Sequence, residues 1–455
     1  MELEVKKTTA WEAFYDNLEL NQLANNYLDF LSQNKTERET ISWIKNVLEK
    51  HGFEQDFSQD KVFKTLHNKT IFIAKRGKKP LTSGTRLICA HVDSPRLDLK
   101  QHPLYEECEV VLAKTHYYGG IKKYQWLARP LALHGVIIKT NGKKINFVLG
   151  ENQDDPVFTI SDLLPHLAHK QIEKKVKDAF EAEKLNIILG HIPLKNKDNN
   201  KKQEKRIKKH LLHLLFERFA IGEEDLYSAE IQAVPAGKAR FVGLDKGLIG
   251  GYGQDDRACV FLSLNAFLKS DTPNYTQILI FWDKEEIGSD GSTGAKSFFL
   301  QYCLEELLDA WKEKGKISQV FLNMKAISAD VHAPIEADYQ DAHEKLNASR
   351  LGYGPVFCKF TGHKGKYGAN DAHAEYIAWL RNILNRKQIP WQMAELGKVD
   401  LGGGGTVAKF LASYGGDVID CGPGLLSMHS PFEISSTVDL YTTYLAYKAF
   451  FEEST

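Results

Sequence analysis

Four apolar runs in this chain each stop at residues able to bind a metal, and no other feature constrains the fold as tightly. They read RLICAHVD, reaching His91 and Asp93; QILIFWDKEE, reaching Glu285 and Glu286; VFLNMKAISADVH, reaching Asp330 and His332; and GDVIDCGPGLLSMH, reaching His429. A fifth segment, GGYGQDDRACVF, sets Asp255 and Asp256 just ahead of an apolar stretch. In an open α/β sheet, ligands bind in the crevice beyond the carboxyl ends of the strands. Polar residues placed repeatedly where buried strands stop therefore mark a candidate active site.

The texture between these runs fills in the architecture. Residues from about 22 to 53 carry apolar side chains at three- and four-residue spacings and predict a helix that stops near Gly52. After about residue 245, strand-like runs alternate with helical patterns such as RACVFLSLNAFLKS and AHAEYIAWLRNILNRKQ. That alternation predicts βα units around a mostly parallel sheet with helices on both faces. The intervening stretch has alternating β patterns (CEVVLAK, ALHGVIIKT, KINFVLG) and a lysine-rich segment at 196–210. The economical reading is one α/β domain, 1–100 and 245–455, interrupted by a largely β insertion at 101–244. At 455 residues the chain exceeds what one hydrophobic core usually serves, which fits two domains.

Charge argues for no polyanionic partner, because Lys plus Arg and Asp plus Glu both total 59. The lysine-rich segment is interspersed with Asn, Asp, Glu and Gln, so it reads as a solvated loop and not a nucleic-acid surface. No apolar stretch approaches the ~20 residues that span a bilayer. The N-terminal segment lacks a basic region followed by an apolar one, and reads as an amphipathic helix. Six scattered cysteines without a CxxC pair read as buried reduced thiols of a cytoplasmic protein. Asn34-Lys35-Thr36 matches a glycosylation triplet, with no export signal to make it relevant.

His91 and Asp93 stand two apart at a strand end, so both point to one face of the sheet. A carboxylate so placed can take the second N–H of the imidazole and fix its orientation for a metal. Adjacent Glu285 and Glu286 cannot both be buried as charges without a compensating cation. A metal supplies that cation, binding one of the two and leaving the other as a proton acceptor for an activated water. Histidine with carboxylates suits zinc, with cobalt or manganese as substitutes, and the lack of cysteine ligands argues against a structural zinc. One shared aspartate, two histidines and two further carboxylates are too many donors for one catalytic zinc. They suit two metals about 3.5–4 Å apart, a hydrolytic arrangement.

The set HVDSP, QDDRA, DKEEIGS, SADVHA and LSMHSPFE, in this order, resembles the aspartyl aminopeptidase family of dizinc exopeptidases. The likeness covers nearly the whole chain, including YYGGIKKYQWLARPL and LLPHLAHK in the insertion. The resemblance implies a zinc-exopeptidase-like catalytic domain and peptide substrates. It assigns His91, Asp255, Glu286, Asp330 and His429 to two divalent ions, with Asp255 bridging. Asp93 would orient His91, and Glu285 would be the general base. It further implies a cis peptide at Asp255–Asp256 and a tetrahedral dodecamer built from dimers through the insertion. His166, in Pro165-His166-Leu167-Ala168, would reach a neighbour's active site, and Lys364 and Tyr367 would receive an acidic substrate side chain. Three departures bear on side-chain preference: Asp256 replaces the family's asparagine, YYGGIKKYQWLARPL stands for the aromatic-rich glycine segment of the animal-type enzymes, and VDLGGGGTVAKF replaces a Thr-Pro-Cys-Gly-Thr stretch. They place the chain nearer a bacterial-type branch.

The leading expectation is thus a cytoplasmic metalloaminopeptidase that favours acidic N-terminal residues. Two competitors share the motifs: a dizinc deacylase or carboxypeptidase-type amidohydrolase, and a catalytically lapsed scaffold or cargo-receptor shell. Among the bland readings, Gly402–Gly405 lacks the spacing of a phosphate cradle and reads as a loop permitting close substrate approach. His102, His134, His332, His363 and His373 read as surface or supporting histidines.

Overall fold

The computed structural model describes residues 8–195, 204–271 and 273–454. The chain divides into two compact units. One comprises the described residues up to Ser94, then Lys238–Met428 and those from Phe432 onward; the other comprises Pro95–Gly237 with His429–Pro431.

The first unit is built on an eight-stranded mixed sheet. Its strands are β1 (Lys61–Leu66), β2 (Thr70–Lys75), β3 (Thr85–His91), β4 (Thr276–Trp282), β5 (Lys325–Ala329), β6 (Val356–Cys358), β7 (Gln392–Met393) and β8 (Asp417–Gly422), in the order β1-β2-β4-β3-β5-β8-β6-β7. The central four, β4, β3, β5 and β8, are mutually parallel, while β1, β2 and β6 run against their inner neighbours. Every residue of β3 and β4 is buried, as expected of parallel strands covered on both faces.

Alternation along these strands feeds two separate cores. Ile88, Ala90, Leu279, Phe281, Ile327 and Ile419 face one core, into which helices α1 (Leu18–Gln33), α2 (Glu37–Lys50), α3 (Gln254–Lys269) and the C-terminal Thr437–Glu452 also send side chains. Leu87, Cys89, Ile278, Ile280, Ala326 and Val418 face the other, with helix Phe299–Ala310. A doubly covered α/β sheet is thus what the alternation of strand and helix patterns predicts. Truncating a central residue such as Ile88 to Ala would cost about 2–5 kcal/mol.

The expected first helix is corrected by the structure. The helix predicted from about 22 to 53 is two helices, α1 and α2, broken at Asn34-Lys35-Thr36. The Thr36 side chain accepts the Glu39 N–H at 3.3 Å, and Glu39 Oε2 accepts the Thr36 N–H at 3.1 Å. This reciprocal capping box starts α2. The triplet that mimics a glycosylation site is a buried helix start.

The second unit is a six-stranded antiparallel sheet in the order Lys144–Leu149, Leu131–Ile138, Glu230–Pro235, Arg96–Glu107, Val110–Tyr118, Ile187–Gly190. Helix Arg206–Phe219 accompanies it. Of the lysine-rich segment, positions 196–203 lie outside the described residues, as do the first seven residues of the expected N-terminal helix. Five of the six cysteines are buried and free, but Cys108 is exposed where a tight turn joins two strands. Among the described residues no helix is long and apolar enough to cross a membrane.

Candidate metal centre

Four of the five predicted ligands come from segments that meet beyond the carboxyl ends of β3, β4 and β5. His91 is the last residue of β3, Asp330 follows β5, and Glu285 and Glu286 form a short turn after β4. Asp255 stands in the first turn of α3, where its backbone departs from helical geometry and the Asp255–Asp256 peptide is cis. Two trios have donor atoms within 4.8 Å of one another: His91, Asp255 and Glu286, and His91, Asp256 and Asp330. His91 belongs to both.

The imidazole is buried and held from both sides. Its Nε2 lies 3.1 Å from Asp255 Oδ1 and 3.9 Å from Asp330 Oδ1. Its Nδ1 lies 3.0 Å from the Asp93 carbonyl and 3.4 Å from Asp93 Oδ1. With the proton on Nδ1, Nε2 presents its lone pair toward Asp255 and Asp330. The fully buried Asp93 carboxylate also accepts two main-chain N–H groups, from Glu285 on Oδ1 and Glu286 on Oδ2, each at 3.1 Å. One aspartate thereby orients both the histidine and the two glutamates.

Electrostatics make the cluster acid-rich around one base. Burial opposes the charged imidazole of His91, yet Asp255, Asp93 and Asp330 together hold its pKa well above the usual histidine value. Burial, reinforced by Asp255, pushes the Asp256 carboxyl well up; burial and then Asp256 do the same to Asp330. Asp256 Oδ1 is buried and accepts no hydrogen bond among the described residues. An oxygen and nitrogen donor set with this excess of acid, and an orphaned carboxylate oxygen beside it, fits divalent cations.

The loop before α3 is tightly specified. Gly253 has φ +70°, and a Cβ there would fall 1.9 Å from Arg257 Nη2 and 2.9 Å from Ser94 Oγ. Only glycine combines that conformation with such close approach. Ser94 Oγ donates to the Asp255 carbonyl at 2.7 Å. The buried Glu433 accepts the main-chain N–H groups of Gln254 and Asp255 at 2.7 and 3.3 Å.

The remaining predicted residues lie on other segments. Lys364 and Tyr367 stand exposed on a tight hairpin, with reciprocal main-chain hydrogen bonds between His363 and Tyr367. In the second unit, His166 is exposed in the turn Pro165–Leu167, and His429 Nδ1 lies 2.9 Å from the Gly120 carbonyl. Sequence reasoning missed two contributors: Ser94 and Glu433 lay unused inside HVDSP and LSMHSPFE. Asp256 stands out in the sequence beside Asp255 but is not among the expected ligands, and the structure sets it in a trio with His91 and Asp330. An apolar cavity of about 440 Å³ in the second unit offers a single carboxylate, Glu217, in its lining. Donor chemistry, not cavity volume, picks out the centre.

Comparison with known proteins gives concordant results. Residues 30–451 match the family model described as aminopeptidase I zinc metalloprotease (M18). A probable M18 family aminopeptidase 1 from Borreliella afzelii (strain PKo) is 47% identical over 464 residues, covering 99% of this chain and 100% of the relative. The crystal structure of an M18 aminopeptidase from Thermotoga maritima superposes with a TM-score of 0.94 at 44% identity, covering 99% of this chain and 100% of that one. That of aminopeptidase I from Clostridium acetobutylicum gives 0.92 at 41% identity with the same coverage.

Proposed function

The chain belongs to the M18 family of zinc metalloproteases and is an M18 aminopeptidase, and from that premise we propose that it removes single N-terminal residues, acidic ones preferred, at a two-metal centre. His91, Asp255, Glu286, Asp330 and His429 would hold the ions, with Asp255 shared between them. The observation that carries this reading is the two-sided hold on His91, with Nε2 toward Asp255 and Nδ1 toward Asp93.

Bound divalent ions, zinc above all, would polarise the scissile carbonyl and bring the pKa of an attacking water toward about 7. Glu285 is the general base: its carboxylate takes the proton of the attacking water and returns it to the leaving amine. Asp93 keeps that glutamate in reach by accepting its main-chain N–H. Lys364 and Tyr367 receive the acidic side chain, with an ammonium pairing to the substrate carboxylate. His166 serves a neighbouring subunit's site in a tetrahedral dodecamer of dimers, formed through the second unit in the cytoplasm.

A panel of aminoacyl fluorogenic substrates with free and N-acetylated termini tests the reading. Turnover of free-amine aspartyl and glutamyl substrates, restored by zinc after chelation, is expected. Equal turnover of acetylated substrates would point instead to a deacylase-type amidohydrolase.

A further inference from the structure

The main chain on either side of the Asp255 side chain is tied down by two residues that contribute no donor to the expected ligand set. On the amide side stands Glu433, 1% exposed, whose Oε2 takes the N–H groups of Gln254 at 2.7 Å and Asp255 at 3.3 Å. On the carbonyl side stands Ser94, donating at 2.7 Å. The Gln254 side chain locks the same loop. Its Nε2 donates to the carbonyls of Ile249 at 3.1 Å and Glu433 at 2.7 Å, and its Oε1 accepts from Ser435 at 2.6 Å and Tyr27 at 3.3 Å. Every hydrogen-bonding position of that amide is used.

A carboxylate buried as deeply as Glu433 is costly to keep charged unless it is compensated. Part of that compensation comes from the two main-chain N–H groups on its Oε2. The fully buried Arg257 guanidinium, donating to the carbonyls of Lys35 at 2.8 Å and Tyr252 at 2.7 Å, adds a positive charge to the same loop. Two charge-assisted hydrogen bonds from consecutive amides fix where the Asp255 backbone enters α3. The direction in which the Asp255 carboxylate leaves that backbone is fixed with it.

We propose that Glu433 is a positioning residue of the metal centre, setting the pose of Asp255 through the main chain, with Ser94 as its counterpart on the carbonyl side. The proposal rests on the reading of Asp255 as a metal ligand. It gives LSMHSPFE a second task beyond presenting His429, and gives HVDSP one beyond His91 and Asp93.

The test uses the full chain with Glu433→Gln, Ser94→Ala and, as reference, Asp255→Asn. Gln keeps the shape of Glu433 and an oxygen able to take both N–H groups, but it removes the charge and turns the other carboxylate oxygen into a donor. Zinc affinity is measured by competition with a chromophoric chelator, coordination by the visible spectrum of the cobalt-loaded protein, and folding by thermal melts. Glu433→Gln is expected to weaken zinc binding by about 10–100-fold, as loss of an outer-shell partner does. It should also shift the cobalt spectrum and lower kcat while KM moves less than about threefold. Ser94→Ala should do the same more weakly. Wild-type zinc affinity and cobalt spectrum in folded Glu433→Gln, with both lost in Asp255→Asn, would overturn the positioning role and leave the metal centre intact. Wild-type zinc affinity in Asp255→Asn would overturn both. Where Glu433→Gln does not fold, wild-type affinity and spectrum in Ser94→Ala would overturn the proposal.

Discussion

Asp93 Oδ1 takes the main-chain N–H of Glu285 at 3.1 Å, which ties the expected base to the residue that orients His91. The neighbouring Oδ2 takes the Glu286 N–H in the same way. Replacing Asp93 by Asn would present an amide N–H to one of these donors and remove the charge facing the imidazole. Activity and zinc affinity of Asp93→Asn should both fall about 10–100-fold. Steady-state kinetics beside a zinc titration would read this, and a variant equal to wild type in both would remove Asp93 from the machinery.

Glu285→Gln should separate binding from chemistry. The metals should remain, as counted by elemental analysis, while kcat drops by about 10²–10⁴-fold, the usual contribution of a general base. A kcat within about threefold of wild type would reassign the base.

Substrate preference should respond to Lys364. Lys364→Met should raise KM for glutamyl substrates about tenfold and leave leucyl substrates unchanged, since only the acidic side chain loses a charged partner. Parallel loss on both substrates would show a structural effect on the hairpin.

Asp420 predicts a pH dependence of stability. Burial raises its carboxyl to about 6, and the nearby hydroxyls of Thr406 and Ser328 soften the effect without meeting hydrogen-bond geometry. The sign is opposite to that of a salt-bridged aspartate. Between about pH 4 and 6 the folded chain keeps a proton that the unfolded chain releases, so stability falls as pH rises and levels off above the folded pKa. From pH 4 to 7, the unfolding free energy of Asp420→Asn should rise relative to wild type by roughly 2–3 kcal/mol. Denaturant melts at the two pH values would show it, and a constant difference would contradict the buried-acid account.

The cap of α2 should be measurable as well. Thr36→Ala removes the acceptor for the Glu39 N–H and should cost about 1 kcal/mol, read as a lower melting temperature. An unchanged melt would mean that tertiary packing alone sets this helix start.

The parallel core of the sheet was legible because its strands are uninterrupted apolar runs, such as the seven buried residues of β3. The residues after those runs were legible for the same reason, since charge at the end of a buried strand has few structural uses. The helix break at Asn34–Thr36 was not seen, because apolar spacing continues through it on both sides. TERE carried the signal, a threonine followed three residues later by glutamate. Glu433 and Ser94 were missed for a different reason. Both act on main-chain atoms of a loop distant in sequence, and spacing rules see side chains of one segment only. Asp256 is legible as a carboxylate beside Asp255, but its closeness to His91 and Asp330 depends on the backbone turn at the start of α3.

The most direct test of the metal centre is anomalous diffraction at the zinc edge from crystals grown with zinc. Two peaks are predicted, each at about 2.0–2.2 Å from a different carboxylate oxygen of Asp255, with His91 Nε2 on one of them. A single peak, or peaks that leave Asp255 uncoordinated, would contradict the account.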